Sequence, residues 1–212
     1  MLPGIVDAHA HPGTDYKDIS SGSYVCTSGP QSALIGVVNL RTYLDHGVTT
    51  LRDAGESNFD YPKFALRDAV RKGLIPGPRM LCAGALISLT GGHGDKDTSA
   101  PEFALPRRFN IAGTVDEMRV VVRRDLKYGA DWITLMATGG IADVLSDFRV
   151  QELGEEQMAA AVELAHRAGR RVMAHAEGTP GIKAAVRAGV DSIERGTMLD
   201  EEGAGLMAAK GT

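Results

Sequence analysis

The sequence predicts an α/β fold in which parallel strands alternate with helices, and within that class a partial (β/α)8, TIM-like barrel. The first observation behind this is a repeated punctuation. A helical pattern ends at a glycine and an apolar strand follows at once in LDHGVTTLRD (44–53), LKYGADWITLMA (126–137), AHRAGRRVMAHA (165–176) and AVRAGVDSIER (185–195). VRKGLIPGPRMLCAGALIS (70–88) repeats it with a longer link. The second observation is what the first strand leads into. A doubly wound nucleotide-binding sheet would carry GxGxxG or GxxxxGKS there, whereas this chain reads His-Ala-His-Pro. The third is length. A complete barrel takes about 250 residues. With 212 residues and about six strands, this one is incomplete, about six of eight βα units.

Each element has a local reason. The strands are expected at Ile5–Ala8, Val48–Arg52, Arg79–Ile87, Trp132–Ala137, Arg171–Ala174 and Val190–Ile193, short apolar runs suited to strands covered by helices. Gly47, Gly73, Gly129, Gly169 and Gly189 stop the helices before them, because glycine takes the left-handed conformation without steric cost. Gly211 in GLMAAKGT repeats that signal. Thr114 with Glu117 forms a capping box, after which Val115, Met118, Val121 and Val122 fall on one face. Thr179 caps a helix whose first residue is Pro180. Met158, Ala161, Val162 and Ala165 form the inward stripe of another.

Composition excludes several classes. The chain is 43% hydrophobic and 24% charged, which suits one packed domain, residues 1–212, and not a disordered polar chain. A net charge of −4 and a pI near 5.9 lack the basic surplus of a nucleic-acid or anionic-membrane binder. Cys26 and Cys82 are too few for a disulfide scaffold. No apolar run spans a membrane, and MLPGIVDAHAHPG lacks the basic-then-apolar form of a secretory leader, so a cytoplasmic setting is expected.

In a barrel, chemistry gathers at the C-terminal strand ends. The first strand delivers His9 and His11. Two residues apart on a strand, they share a face about 7 Å apart along it, a spacing from which two imidazoles can grip one divalent ion, zinc above all. The fifth strand end adds His175 as a third ligand. His93 lies in TGGHGD, in a long loop from Ser88 to Asn110 that suits substrate binding better than simple connection. Ala137-Thr138-Gly139-Gly140 ends the fourth strand with N–H groups able to meet a substrate carboxylate. His46 and His166 fall in last helical turns and read as structural. Asp53 and Glu177 read first as solvated turn carboxylates and second as acid–base or supporting groups.

PGIVDAHAH, GVTTLRDAG, GPRMLCAG, TGGHGD, GADWITLMATGG and VMAHAEGTPGIKAAVRAGVDSIERGTMLDEE, in this order, resemble the amidohydrolase superfamily. The similarity is to its imidazolonepropionase-like and Xaa-Pro or Xaa-Arg dipeptidase-like enzymes, and it covers essentially the whole chain. It implies a barrel of the metal-dependent hydrolase type, with the flanking β domain of the family missing here. It implies hydrolysis of an amide, in a dipeptide-like or N-acyl amino acid substrate, by zinc-activated water. His9, His11 and His175 match the family's ligands. Thr134 stands where dipeptidase-like members carry a bridging lysine, and Arg195 stands where SIEHG carries a histidine. These two are degenerate metal positions: a hydroxyl stays neutral and a guanidinium stays charged. One zinc ion at most is therefore expected. The alternative is a catalytically inactive barrel fragment or pseudoenzyme. A partial barrel leaves two unpaired strand edges, Ile5, Val6 and Ala8 on one side and Val190, Ser192 and Ile193 on the other, so self-association or a complementing chain is expected.

Overall fold

A computed structural model of the chain describes residues 2–18, 26–55, 61–103, 108–141, 143 and 146–212. Within them lie six strands, β1 (Ile5–Ala10), β2 (Val48–Asp53), β3 (Arg79–Ile87), β4 (Trp132–Met136), β5 (Arg171–Ala176) and β6 (Ser192–Arg195). Six helices follow them in alternation: α1 (Gly29–Asp45), α2 (Pro62–Arg71), α3 (Val115–Tyr128), α4 (Glu155–Arg167), α5 (Thr179–Ala188) and α6 (Glu201–Lys210). The strands are all parallel and pair in chain order, β1-β2-β3-β4-β5-β6. Strands at opposite ends of that order nevertheless touch through their side chains. His9 of β1 meets Glu194 of β6, and Arg52 of β2 reaches both Ser192 and Glu194. The sheet therefore curls into most of a barrel, with the partial (β/α)8 architecture the sequence predicts.

The glycine stops are where expected. Gly47, Gly73, Gly129, Gly169, Gly189 and Gly211 all have positive φ, and the Thr114–Glu117 capping box opens α3. Several boundaries move by one or two residues; β1 and β5, for example, each run two residues past the expected end. β6 starts two residues later than predicted, because pairing with β5 begins at Ser192 opposite Met173. Val190 is buried, so it does not line a free edge. The cap of α5 is Gly178, while the Thr179 hydroxyl donates to the Met198 carbonyl at 2.6 Å.

Alternation along the strands divides the core in two. Outward-facing Leu51, Ile133, Leu135, Val172 and Ala174 pack under the helices, against Met118, Val122, Met158, Ala161 and Ile182. Inside the curl, Ala54, Ala83 and Met173 form a smaller cluster capped by Trp132. The Arg52 guanidinium lies over the Trp132 ring, 4.4 Å from its centroid, so the lumen is apolar on one wall and charged on the other. Among the described residues no helix is long and apolar enough to cross a membrane.

Candidate metal and substrate site

The strand ends bring four histidines to one mouth in two pairs. His9 and His11 share the inward face of β1 and its continuation, and their rings meet edge-to-face with centroids 5.2 Å apart. His175, buried at the end of β5, stacks on His93 with centroids 4.3 Å apart. Gly140 leaves room for that stack: a Cβ there would come within 2.2 Å of the His93 ring.

Each ring is held by one nitrogen. His9 Nδ1 lies 2.7 Å from Glu194 Oε2, His11 Nδ1 lies 2.9 Å from the Gly55 carbonyl, and His175 Nε2 lies 3.1 Å from the Gly139 carbonyl. Carbonyls accept only, so His11 and His175 donate there and keep a lone pair on the other nitrogen. Burial pushes the His11 pKa well below the usual imidazole value, helped by the nearby charge of Lys63. Burial brings His175 down to about 3, with His93 adding to the effect. Both rings are neutral at neutral pH, the state in which imidazole binds a cation.

The surroundings supply groups that motif reading missed. Glu194 is 6% exposed and accepts from Arg52, Ser192 and His9. Burial pulls its carboxyl upward, but those hydrogen bonds and the Arg52 charge outweigh burial and leave it below the usual range. The alternation of β6 carried a signal, since Ser192 and Glu194 share the lumen face. His93 Nδ1 lies 2.7 Å from Asp143, and its backbone N–H donates to Glu152. Lys63 donates to Asp53 at 2.6 Å and to the Gly55 carbonyl at 2.8 Å, with both charged side chains buried. Nothing in its sequence context marks Lys63 as a buried ion-pair partner.

Two readings from sequence need correcting. Asp53 and Glu177 are not solvated turn carboxylates: they are 0% and 4% exposed. Asp53 faces Lys63 because an unpaired buried lysine would be costly. Glu177 accepts from the Ile141 N–H and the Thr197 hydroxyl, tying the β4, β5 and β6 ends together. The Ala137–Gly140 turn is correspondingly built into the fold, with Thr138 Oγ1 accepting from the Glu177 N–H. His46 bonds back to the Thr42 carbonyl, and His166 pairs with Asp191, as structural histidines do.

Thr134 is buried beneath Gly55, and Arg195 is exposed with the left-handed φ of 81° rare for a side-chain-bearing residue. The Arg195 charge is felt at both His11 and His175. Two neutral imidazoles with fixed lone pairs, beside a third ring bonded to a carboxylate, are donor types that a divalent ion takes. A neutral hydroxyl and a permanent cation do not suit a second. As the side chains stand, no group of three or more His, Cys, Asp or Glu among the described residues is arranged to hold a metal ion.

The sequence matches the Amidohydrolase family over residues 1–212. The chain belongs to that family. Ochratoxinase of Aspergillus niger is 32% identical over 236 residues, covering 100% of this chain and 46% of its own. An uncharacterized protein of Mycobacterium tuberculosis is 28% identical over 223 residues, covering 100% and 49%. Among solved structures, a Xaa-Pro dipeptidase with methionine bound in its active site superposes with a TM-score of 0.90 at 34% identity, over 100% of this chain and 52% of that one. The crystal structure of the A. niger ochratoxinase gives 0.84 at 32%, over 99% and 50%. This amidohydrolase chain thus spans about half the length of the relatives it matches.

Proposed function

We propose that this chain is the histidine-bearing part of an amide-hydrolysing barrel, in which His9, His11 and His175 hold one divalent ion, zinc by preference. A small amide would be the substrate, dipeptide-like or an N-acyl amino acid, as the names of the dipeptidase and ochratoxinase relatives suggest. The observation that supports this best is that His11 and His175 are neutral at the mouth, each with one nitrogen committed to a backbone carbonyl and the other left as a donor. A bound zinc ion would polarise the amide carbonyl and acidify a water.

The chain's own groups do the rest. His93, held by Asp143 and Glu152, lines the mouth beside His175 and would contact the substrate. Arg195 adds positive charge near the histidines, which opposes a second cation and favours an anionic substrate group. Glu177 braces three strand ends and keeps His175 at a fixed depth. The exposed β1 residues Ile5 and Val6 offer an edge for self-association or for a complementing chain.

A second reading, a barrel without hydrolytic activity, is favoured by the lack of a three-ligand group among the described residues and by Thr134 and Arg195. Zinc titration followed by a dipeptide and N-acyl amino acid hydrolysis screen separates the two. One zinc per chain with metal-dependent turnover supports the first; no metal and no turnover supports the second. Thr134→Lys with Arg195→His should raise the metal stoichiometry if those positions were lost from a two-metal site.

A further inference from the structure

We infer that Glu194 is a positioning residue: with Arg52 behind it, it fixes the His9 ring as the Nδ1–H tautomer and turns the Nε2 lone pair toward the mouth. This rests on the metal-site reading above only for what that lone pair would then bind.

The carboxylate has its two oxygens divided between two tasks. Oε1 accepts from the Arg52 guanidinium at 2.6 Å and from the Ser192 hydroxyl, while Oε2 faces His9 Nδ1 at 2.7 Å. An ionised carboxylate has no proton to give, so the hydrogen in the His9 contact belongs to Nδ1. Free imidazole in water favours the opposite tautomer, so the protein must impose this one. Rotation of the carboxylate is blocked, because turning Oε2 away from His9 would also break the bonds at Oε1. Arg52 is in turn fixed on three sides. Its Nε donates to the Ala8 carbonyl at 2.7 Å, its terminal nitrogen holds β6, and its plane covers the Trp132 ring. The same guanidinium therefore holds the backbone beside His9 and the carboxylate opposite it. At 6% exposure, Glu194 has little water to offer His9 as a substitute acceptor.

The arrangement is the one that orients histidine ligands elsewhere: the ring nitrogen away from the ion donates to a carboxylate, which sets the tautomer and makes the other nitrogen more basic. Loss of such a partner costs 10–100-fold in metal affinity, roughly. His11 has the weaker version of this support, a neutral carbonyl.

The test is nitrogen-15 NMR of the metal-free 212-residue chain labelled in histidine, at pH 8, with His9 assigned by the loss of its signals in His9→Gln. The expected wild-type spectrum has His9 protonated on Nδ1 and bare on Nε2. Glu194→Gln, whose one oxygen stays with Arg52 and Ser192, would turn its NH2 toward Nδ1 and should drive the ring to the opposite tautomer. Glu194→Ala should release the ring into a mixture of tautomers. If the alanine variant does not fold, Glu194→Asp, which withdraws the carboxylate by one methylene, should give the same release. A wild-type ring protonated on Nε2, an imidazolium at pH 8, or a tautomer unchanged in the alanine or aspartate variant overturns the inference. Zinc addition is read separately: affinity should fall roughly 10–100-fold in Glu194→Ala and at least as much in Glu194→Gln, by the same outer-sphere rule. A wild type that takes up no zinc contradicts the proposed function, while the tautomer result stands on its own spectrum.

Discussion

The two sides of the mouth are built differently. His175 rises from β5, whose residues from Val172 to Ala176 are all buried and which pairs with every residue of β4. His9 and His11 rise from β1 and its continuation, and Ile5 and Val6 of that strand are 56% and 65% exposed. Packing holds the first side and polar ties hold the second. Asn39 of α1 donates to the Pro12 and Thr14 carbonyls, Ser32 donates to the Gly13 carbonyl, and Arg52 donates to the Ala8 carbonyl. The mouth thus combines one histidine fixed by the core with two fixed by hydrogen bonds. The two halves should respond to different perturbations.

The largest effect should come from the packed side. Leu135→Ala, at a fully buried position of β4, should cost 2–5 kcal/mol, roughly, as the cavity it leaves adds to the lost transfer energy. Val6→Ala on β1 should stay within about 0.5 kcal/mol. Urea denaturation of both variants reads the contrast, and equal losses would erase it.

A buried carboxyl gives the same wall a pH signature. Asp125 of α3 accepts from Tyr61 and the Ala85 N–H under β3, and burial raises its pKa to about 7. The native state therefore binds this proton more tightly than the unfolded chain. Its contribution to stability is fully present below the unfolded value and is lost as pH rises through about 7. Across pH 5 to 8 the wild type should lose up to about 3 kcal/mol relative to Asp125→Asn, since roughly two pKa units of the shift lie between pH 5 and the native value. His175, depressed to about 3, acts in the opposite direction, losing stability as pH falls below the ordinary imidazole value. The difference between variant and wild type isolates Asp125. Parallel pH profiles would show that this carboxyl does not titrate there.

The smallest change sharpens the polar side. Asn39→Ala removes two donated hydrogen bonds and should cost about 1–2 kcal/mol. Hydrogen exchange should accelerate between His9 and Thr14 and remain unchanged along β5. Acceleration on both sides would mean that the halves are not independent.

What was legible in the sequence follows that division. Glycine stops, the Thr114 capping box and the β4 and β5 strands obey local rules, and so does the HxH pair, whose spacing alone sets both rings on one face. The ties across the lumen are not local. His9 and Glu194 are 185 residues apart, and Arg52 and Glu194 are 142 apart. Only the curl of the sheet brings them together. Asp53 was misjudged for the same reason, since its partner Lys63 is buried by a helix whose docking no short motif encodes. Val190 and Thr179 were displaced by where pairing and capping begin, boundaries that neighbouring elements decide.

The most direct test of the central proposal, that this mouth would hold a single divalent ion on its strand-end histidines, is zinc content per chain after gel filtration of zinc-loaded protein. The account predicts one zinc in the wild type and none in the His9→Ala, His11→Ala double variant. A wild type that retains no zinc, or a double variant that retains as much, would contradict it.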